Sequence, residues 1–228
     1  MDEKKFVGFK EEELGVREYV KNTLGKGRIS DVLIEYTPVG EKIVVSTNRP
    51  GLVIGKSGER IEELTQTLKR RFKMDNPHIE IKDIQEEMLD SQLVADSIAI
   101  NLERKGSLKF KLIAYRTLQD IMKAGAMGAE IVLSGRLPSE RAKTWRFSQG
   151  YLKKTGDPAK VVRRAMTQAT TRQGVVGVKV SILPPDAVIH DQIKVDAEFL
   201  NKIKALVIEE EPKKVVKVKS KIKSRRNK

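Results

Sequence analysis

The chain of 228 residues has no cysteine, two histidines and only 5% aromatic residues. Without thiols there is no disulfide framework, cysteine nucleophile or cysteine metal site to consider. His78 and His190 stand far apart in unlike surroundings, no His-Glu-x-x-His or Asp-rich metal spacing occurs, and each histidine reads most simply as structural. Asp83 and Glu86 have the chemistry of an acid and a base, but they sit in an acidic stretch with no pocket-forming pattern around it. Neither catalysis nor a metal or cofactor is therefore expected. Apolar runs fall well short of the ~18 residues a membrane span requires. The opening Met1-Asp2-Glu3-Lys4-Lys5-Phe6 lacks the apolar segment and small-residue cleavage site of a secretory signal. The expectation is a cytoplasmic protein with no membrane partner, apolar enough at 39% to bury a core and long enough for two modest domains.

Acidic residues are scarce as well, but only locally. The net charge is +14, yet residues 1–82 carry +2, residues 83–135 carry −2 and residues 165–212 carry −2. The excess lies in residues 136–164, at +7, and residues 213–228, at +9 with no acid at all. Charge concentrated in this way points to a polyanionic partner rather than to general solubility.

Periodicity gives the organisation. A helix is expected over 11–24, strands over 31–37 and 42–46 joined by Pro38-Val39-Gly40-Glu41, a helix carrying Ile61, Leu64, Leu68 and Phe72, and a strand over 78–82. The acidic, unpatterned stretch Asp83–Asp90 reads as a linker. Beyond it Val94, Ile98 and Leu102 line one helix, and Phe110, Ile113, Ala114, Leu118 and Ile121 line another; strands are expected over 129–135, 143–151 and 176–182. Residues 158–172 leave two possibilities open, a helix capped at Asp157-Pro158 or a strand beginning at Val161-Val162. The boundaries expected are 1–85, 86–185 and an extended basic tail from 186 to 228.

Between the first strand pair and its helix lies Arg49-Pro50-Gly51-Leu52-Val53-Ile54-Gly55-Lys56-Ser57-Gly58-Glu59-Arg60-Ile61. A Gly-x-x-Gly loop between an apolar turn and an amphipathic helix is the arrangement by which a KH domain holds a nucleic-acid backbone. Gly55 and Gly58 let a phosphate approach the main chain, Lys56 adds a point charge, Ser57 lies between them, and Arg60 adds a cation to the following helix turn. Leu52, Val53 and Ile54 would pack the short helix and floor the site for unstacked bases. A nucleotide-binding P-loop is excluded by spacing: three residues rather than four separate Gly51 from Gly55, and Pro50 stands where the first glycine belongs.

Arg136, Arg141, Lys143 and Arg146, followed by Lys153, Lys154, Lys160, Arg163 and Arg164, surround a Pro138-Ser139 turn between two expected strands. A projecting cationic hairpin suits phosphate contacts. Trp145, two residues from Phe147, reads as a core aromatic of the strand. The tail cations Lys213, Lys214, Lys217, Lys219, Lys221, Lys223, Arg225 and Arg226 are expected to dock in RNA grooves. Lys109, Lys111, Arg116 and Lys123 decorate the second helix of the rear domain, where a solvated surface and an RNA contact are equally open.

Taken together, the KH order around Gly51–Gly58 resembles ribosomal protein S-three of the small subunit. So do Gly125-Ala126-Met127-Gly128-Ala129-Glu130-Ile131, Ser134-Gly135-Arg136-Leu137, Arg141-Ala142-Lys143, Ser148-Gln149-Gly150, Thr155-Gly156-Asp157-Pro158 and the run from Arg172 to Val180. Arg-Ala-Lys and Thr-Gly-Asp-Pro are similar to the archaeal and eukaryotic branch. The resemblance implies an α+β protein, a type II KH domain followed by two helices and a mainly antiparallel sheet in which Val161–Thr167 contributes a strand. It implies a place on the head of the small subunit at the entrance of the messenger channel. Ribosomal RNA, messenger RNA and neighbouring small-subunit ribosomal proteins would be its partners. Bacterial relatives carry a basic cluster on the helix corresponding to Phe110–Lys123; Lys111 matches it, Leu112 and Tyr115 depart from it, and Arg116 stands next to it. Arg136, Arg141, Lys143 and Arg146 are then the channel-facing residues. The competing reading is a free-standing KH-domain RNA chaperone or regulator.

Overall fold

Apolar residues recurring every three or four positions in helices and every second position in strands sort the described residues into five helices and seven strands. This computed structural model describes residues 2–38, 40–72, 74 and 76–189; His190 and the tail cations from Lys213 to Arg226 lie outside the described residues.

The first lobe runs α1 (Asp2–Leu24), β1 (Ile29–Thr37), β2 (Gly40–Thr47), α2 (Pro50–Ile54), α3 (Glu59–Phe72) and β3 (His78–Asp83). Its three strands lie in the order β1-β2-β3. β1 and β2 form an antiparallel hairpin closing at Thr37 and Gly40, whereas β2 and β3 are parallel, with Ile43 opposite Ile79. Parallel strands need a crossover. Here α2, the glycine loop and α3 provide it, which fixes the loop at one end of the sheet. Val16, Val20 and Leu24 of α1, Ile43 and Val45 of β2, Val53 of α2 and Leu64 and Leu68 of α3 form the apolar core.

Helix α1 starts at Asp2 rather than at 11. Its first turns bury no face, with Phe6, Val7 and Phe9 exposed, so no period marks them. Glu13 holds Lys10 at 2.6 Å and Arg17 at 3.2 Å, the one-turn ion-pair spacing that supports a solvated helix.

The second lobe runs α4 (Ser91–Lys105), α5 (Phe110–Lys123), β4 (Gly128–Gly135), β5 (Lys143–Gly150), β6 (Arg163–Thr171) and β7 (Gly174–Leu183). Its sheet has the order β5-β4-β7-β6, antiparallel throughout. Ile98, Leu102, Phe110 and Ile121 of the helices pack against Ile131, Leu133, Val178 and Val180 of the sheet. Segment 158–172 resolves as a strand rather than a helix: Pro158 lies in a four-residue 3-10 turn over Asp157–Lys160, and β6 begins at Arg163, past Val161-Val162, burying Ala165 and Ala169.

The lobes share a polar seam within one compact unit, Met1–Val188. Gly27 N–H donates to the buried Asp96 carboxylate at 2.9 Å, and Lys26 Nζ donates to the Gln168 carbonyl at 3.2 Å. At Gly27, φ is +78°, a conformation that favours glycine, and a β-carbon would also push aside the tip of Ile100, whose Cδ1 would lie 2.9 Å away. The acidic stretch 83–90 is ordered: Ile84 N–H reaches the Thr47 carbonyl at 2.9 Å, and Leu89 is buried. Asp90 caps α4 through Gln92 N–H while its other oxygen accepts the Ser30 hydroxyl.

Candidate nucleic-acid interface

Pro50 at the first turn of α2 sets a helix that lasts five residues, because the chain leaves helical geometry at Gly55 (φ +76°, ψ −172°). A β-carbon there would stand 2.9 Å from Arg60 Cβ. Ser57 (φ +53°) and Gly58 (φ +85°) are also left-handed, and Glu59 returns to the right-handed region as α3 begins. Gly55 N–H is taken by the Gly51 carbonyl and Glu59 N–H by the Lys56 carbonyl; a turn that joins right-handed to left-handed residues aims its remaining N–H groups as an anion-binding concavity. No side chain caps this turn. A left-handed serine costs about 1–2 kcal/mol, and strain of this kind collects at functional sites.

Lys56 and Ser57 are exposed. An open groove of about 550 Å³ lies beside them, lined by Gly51, Leu52, Gly55, Lys56, Glu59, Arg60 and Glu63. The three apolar residues before the loop divide their roles: Val53 is in the core, while Leu52 and Ile54 remain about two-fifths exposed. Arg60 sends Nη1 to the Leu52 carbonyl at 3.2 Å, so it braces α2 against α3.

The cationic hairpin is built by β4 and β5, whose pairing ends at Gly135 opposite Lys143. Arg136, Arg141 and Lys143 are exposed at and around its tip and have no acidic partner among the described residues. Arg146 differs. Its Nε lies 2.8 Å from the Glu130 carboxylate, and Lys154 Nζ reaches the same oxygen at 3.1 Å. Sequence reasoning missed Glu130. A lone acid among Ala129, Ile131 and Leu133 carries no signal that it will gather cations 16 and 24 positions further on.

On α5, Lys111 and Arg116 are both exposed but differently engaged. Lys111 Nζ sits 4.7 Å from the centre of the Trp145 ring, a cation–π distance. Trp145 is half-buried and packs against Phe110 at 5.4 Å, and Phe147 beside it is buried. Arg116 lines a groove of about 260 Å³ between α4 and α5, together with Glu87, Lys105 and Asp120. Lys111 over Trp145 thus brings α5 against β5 of the cationic hairpin, whereas the groove at the glycine loop is lined by first-lobe residues alone. Among the described residues no group of three or more His, Cys, Asp or Glu is placed to hold a metal ion, and no helix is long and apolar enough to cross a membrane.

Comparison with known proteins adds the following. A family model described as KH domain matches residues 15–89, and one described as Ribosomal protein S3, C-terminal domain, matches residues 98–182. The chain is 40% identical to the Small ribosomal subunit protein uS3 of Methanocaldococcus jannaschii over 214 residues, covering 92% of this chain and 100% of the relative. It is 37% identical to that of Methanococcus maripaludis over 196 residues, covering 86% and 92% respectively. It is also 37% identical to that of Methanothermobacter thermautotrophicus over 193 residues, covering 84% and 74%.

Proposed function

Because the chain belongs to the small ribosomal subunit protein uS3 family, we propose that it is a structural, non-catalytic RNA-binding component of that subunit, seated on its head at the entrance of the messenger channel. Ribosomal RNA and adjacent ribosomal proteins hold it there, in the cytoplasm, and messenger RNA passes its cationic face. Within this reading residues 1–85 act as the KH RNA-binding domain, 86–185 as the C-terminal α+β ribosomal domain and 186–228 as an extended, largely basic tail.

The observation that carries the reading is the loop itself. Gly55, Ser57 and Gly58 have positive φ in a turn that no side chain caps, next to an open groove and at the start of a helix. Main-chain donors and the helix dipole then attract phosphate without any large local charge, which suits a lobe whose sequence is nearly neutral. Arg136, Arg141 and Lys143 supply the complementary means, side-chain charge without an acidic partner among the described residues, whose binding releases counterions.

Co-sedimentation with small subunits in high salt tests the assignment. The protein is expected to remain with the particle, and free dissociation would favour a free-standing KH regulator. Replacing Lys56 and Ser57 by Asp is expected to weaken RNA binding by about tenfold or more, since like charge then faces phosphate, while leaving the melting transition in place. Purified protein given ATP and RNA is expected to release no phosphate.

A further inference from the structure

The four-stranded sheet of the second lobe carries both helices on one face, and its register places a distinct set of residues on the other. Ala129, Ile131 and Leu133 of β4 point into the core, so Glu130, Val132 and Ser134 point outward. Their cross-strand partners share that face. Val132 lies opposite Arg146 on β5 and Lys179 on β7, and Lys179 in turn opposite Met166 on β6. One step along, Glu130 lies opposite Ser148 and Ser181, and Ser181 opposite Arg164. A third row holds Thr144, Ser134, Gly177 and Gln168.

The charge on this face is one-sided. Arg146, Lys179 and Arg164 are exposed, and Lys154 joins them because the chain after β5 folds back, with Tyr151 N–H on the Met127 carbonyl at 2.9 Å and Arg164 Nη2 on the Lys154 carbonyl at 3.4 Å. The single acid of the three rows is Glu130, whose side chain is 10% exposed and is shared by Arg146 and Lys154. A carboxylate held this far from water is costly unless paired, so its placement fixes the two cations that neutralise it. Two strand spacings, roughly 10 Å, separate the positions of Arg146 and Lys179.

We propose that this outer sheet face is a second platform for the RNA sugar-phosphate backbone, with Glu130 holding Arg146 and Lys154 in place and Lys179 and Arg164 carrying the cationic row to the far strands. The proposal rests on the RNA-binding reading above and adds a surface to it. Between the cations stand hydroxyls and an amide, from Thr144, Ser148, Ser134, Ser181 and Gln168, which suit phosphate and 2′-hydroxyl oxygens. Protein interfaces centre instead on buried aromatic or aliphatic anchors, and only Met166 and Val132 are large and apolar in the three rows. RNA backbone is the better match.

The test uses the full chain and a synthetic RNA stem-loop, with affinity followed across a salt series. The Arg164→Gln/Lys179→Gln double variant is expected to lower the slope of log affinity against log salt by about 1.4 to 1.8, two phosphate contacts at 0.7 to 0.9 each. An Arg104→Gln/Lys105→Gln variant at the end of α4 makes the same charge change elsewhere and is expected to alter the slope far less. Equal slopes for the two variants would reduce the face to bulk charge and overturn the proposal. Glu130→Gln adds one positive charge, yet is expected to weaken binding about threefold because Arg146 and Lys154 lose their anchor; tighter binding would overturn the organising role. If the face variant binds RNA like the parent but fails to join the subunit, the face meets a protein and the proposal fails. If the parent chain itself does not bind the stem-loop, the RNA-binding reading falls first. A parent that binds, is weakened by Asp at Lys56 and Ser57, and is indifferent to the face variant removes this inference alone.

Discussion

Replacing Gly55 by alanine tests whether the loop conformation, rather than its charge, underlies binding. The residue has φ +76° and ψ −172°, a region open essentially to glycine alone, and occupying it with a β-carbon costs about 1–3 kcal/mol. A second penalty is local: the new carbon would face Arg60 Cβ at 2.9 Å, an atom rooted in α3 that cannot rotate away. The variant loop is expected to relax into another conformation, leaving the binding-competent one populated less by that energy. Apparent affinity for a short single-stranded RNA should then fall about 5- to 150-fold, since every 1.4 kcal/mol is about tenfold. The melting temperature should move little, because the loop lies outside both apolar cores. Gly58→Ala provides the internal comparison: φ there is +85°, but a β-carbon meets nothing within 4 Å, so only the backbone term applies and the loss should be smaller. Fluorescence anisotropy on the two variants, with thermal melts alongside, gives the comparison directly. If both alanine variants bind as tightly as the parent, the left-handed turn is not what RNA recognises.

Three further outcomes are expected. Removing residues 213–228, which hold nine of the basic residues, should flatten the salt dependence of RNA affinity; an unchanged slope would show that the arm does not touch RNA. Asp96→Ala leaves the Gly27 N–H without its acceptor in the seam, a loss of about 1–3 kcal/mol and a melting temperature lower by several degrees, whereas Asp96→Asn keeps an acceptor oxygen and should lose less. Finally, Lys42 pairs with Glu80 across β2 and β3; hydrogen bonding and charge hold the Glu80 carboxyl below its usual 4.5 and raise the Lys42 ammonium above its usual 10.5. The depressed carboxyl stabilises the fold above the ordinary carboxylate range, and that contribution disappears as pH falls through its lower folded value. The raised ammonium contributes below 10.5 and ceases to do so only as pH climbs through its higher folded value. Lys42→Met should therefore flatten the acid limb of melting temperature against pH, and a limb identical to the parent's would refute the pairing.

Helix α5 was legible in the sequence because Phe110, Ile113, Ala114, Leu118 and Ile121 all face one core, and a helix with one buried stripe writes its period into the chain. The glycine loop was legible for a different reason: a turn with this geometry demands glycine at fixed offsets. The first turns of α1 were not legible, since they bury nothing. β6 was obscured because its inward residues are Ala165 and Ala169, too small to outweigh the helix signal of Asp157-Pro158. Among the site residues, exposed cations could be named but not their engagements. That Arg60 braces the Leu52 carbonyl, that Lys111 covers Trp145 and that Arg146 serves Glu130 depend on neighbours brought close by folding.

The junction at Gly27 and Asp96 has a mechanical consequence. A hinge between two surfaces lets each search separately, but a seam tied by the Gly27 N–H to the buried Asp96 carboxylate and by Lys26 to the Gln168 carbonyl favours a fixed spacing. If both proposed surfaces bind RNA, a polynucleotide held at the first would meet the second at a local concentration far above that in bulk. Strands folded to match the separation would then be held at two points and others at one.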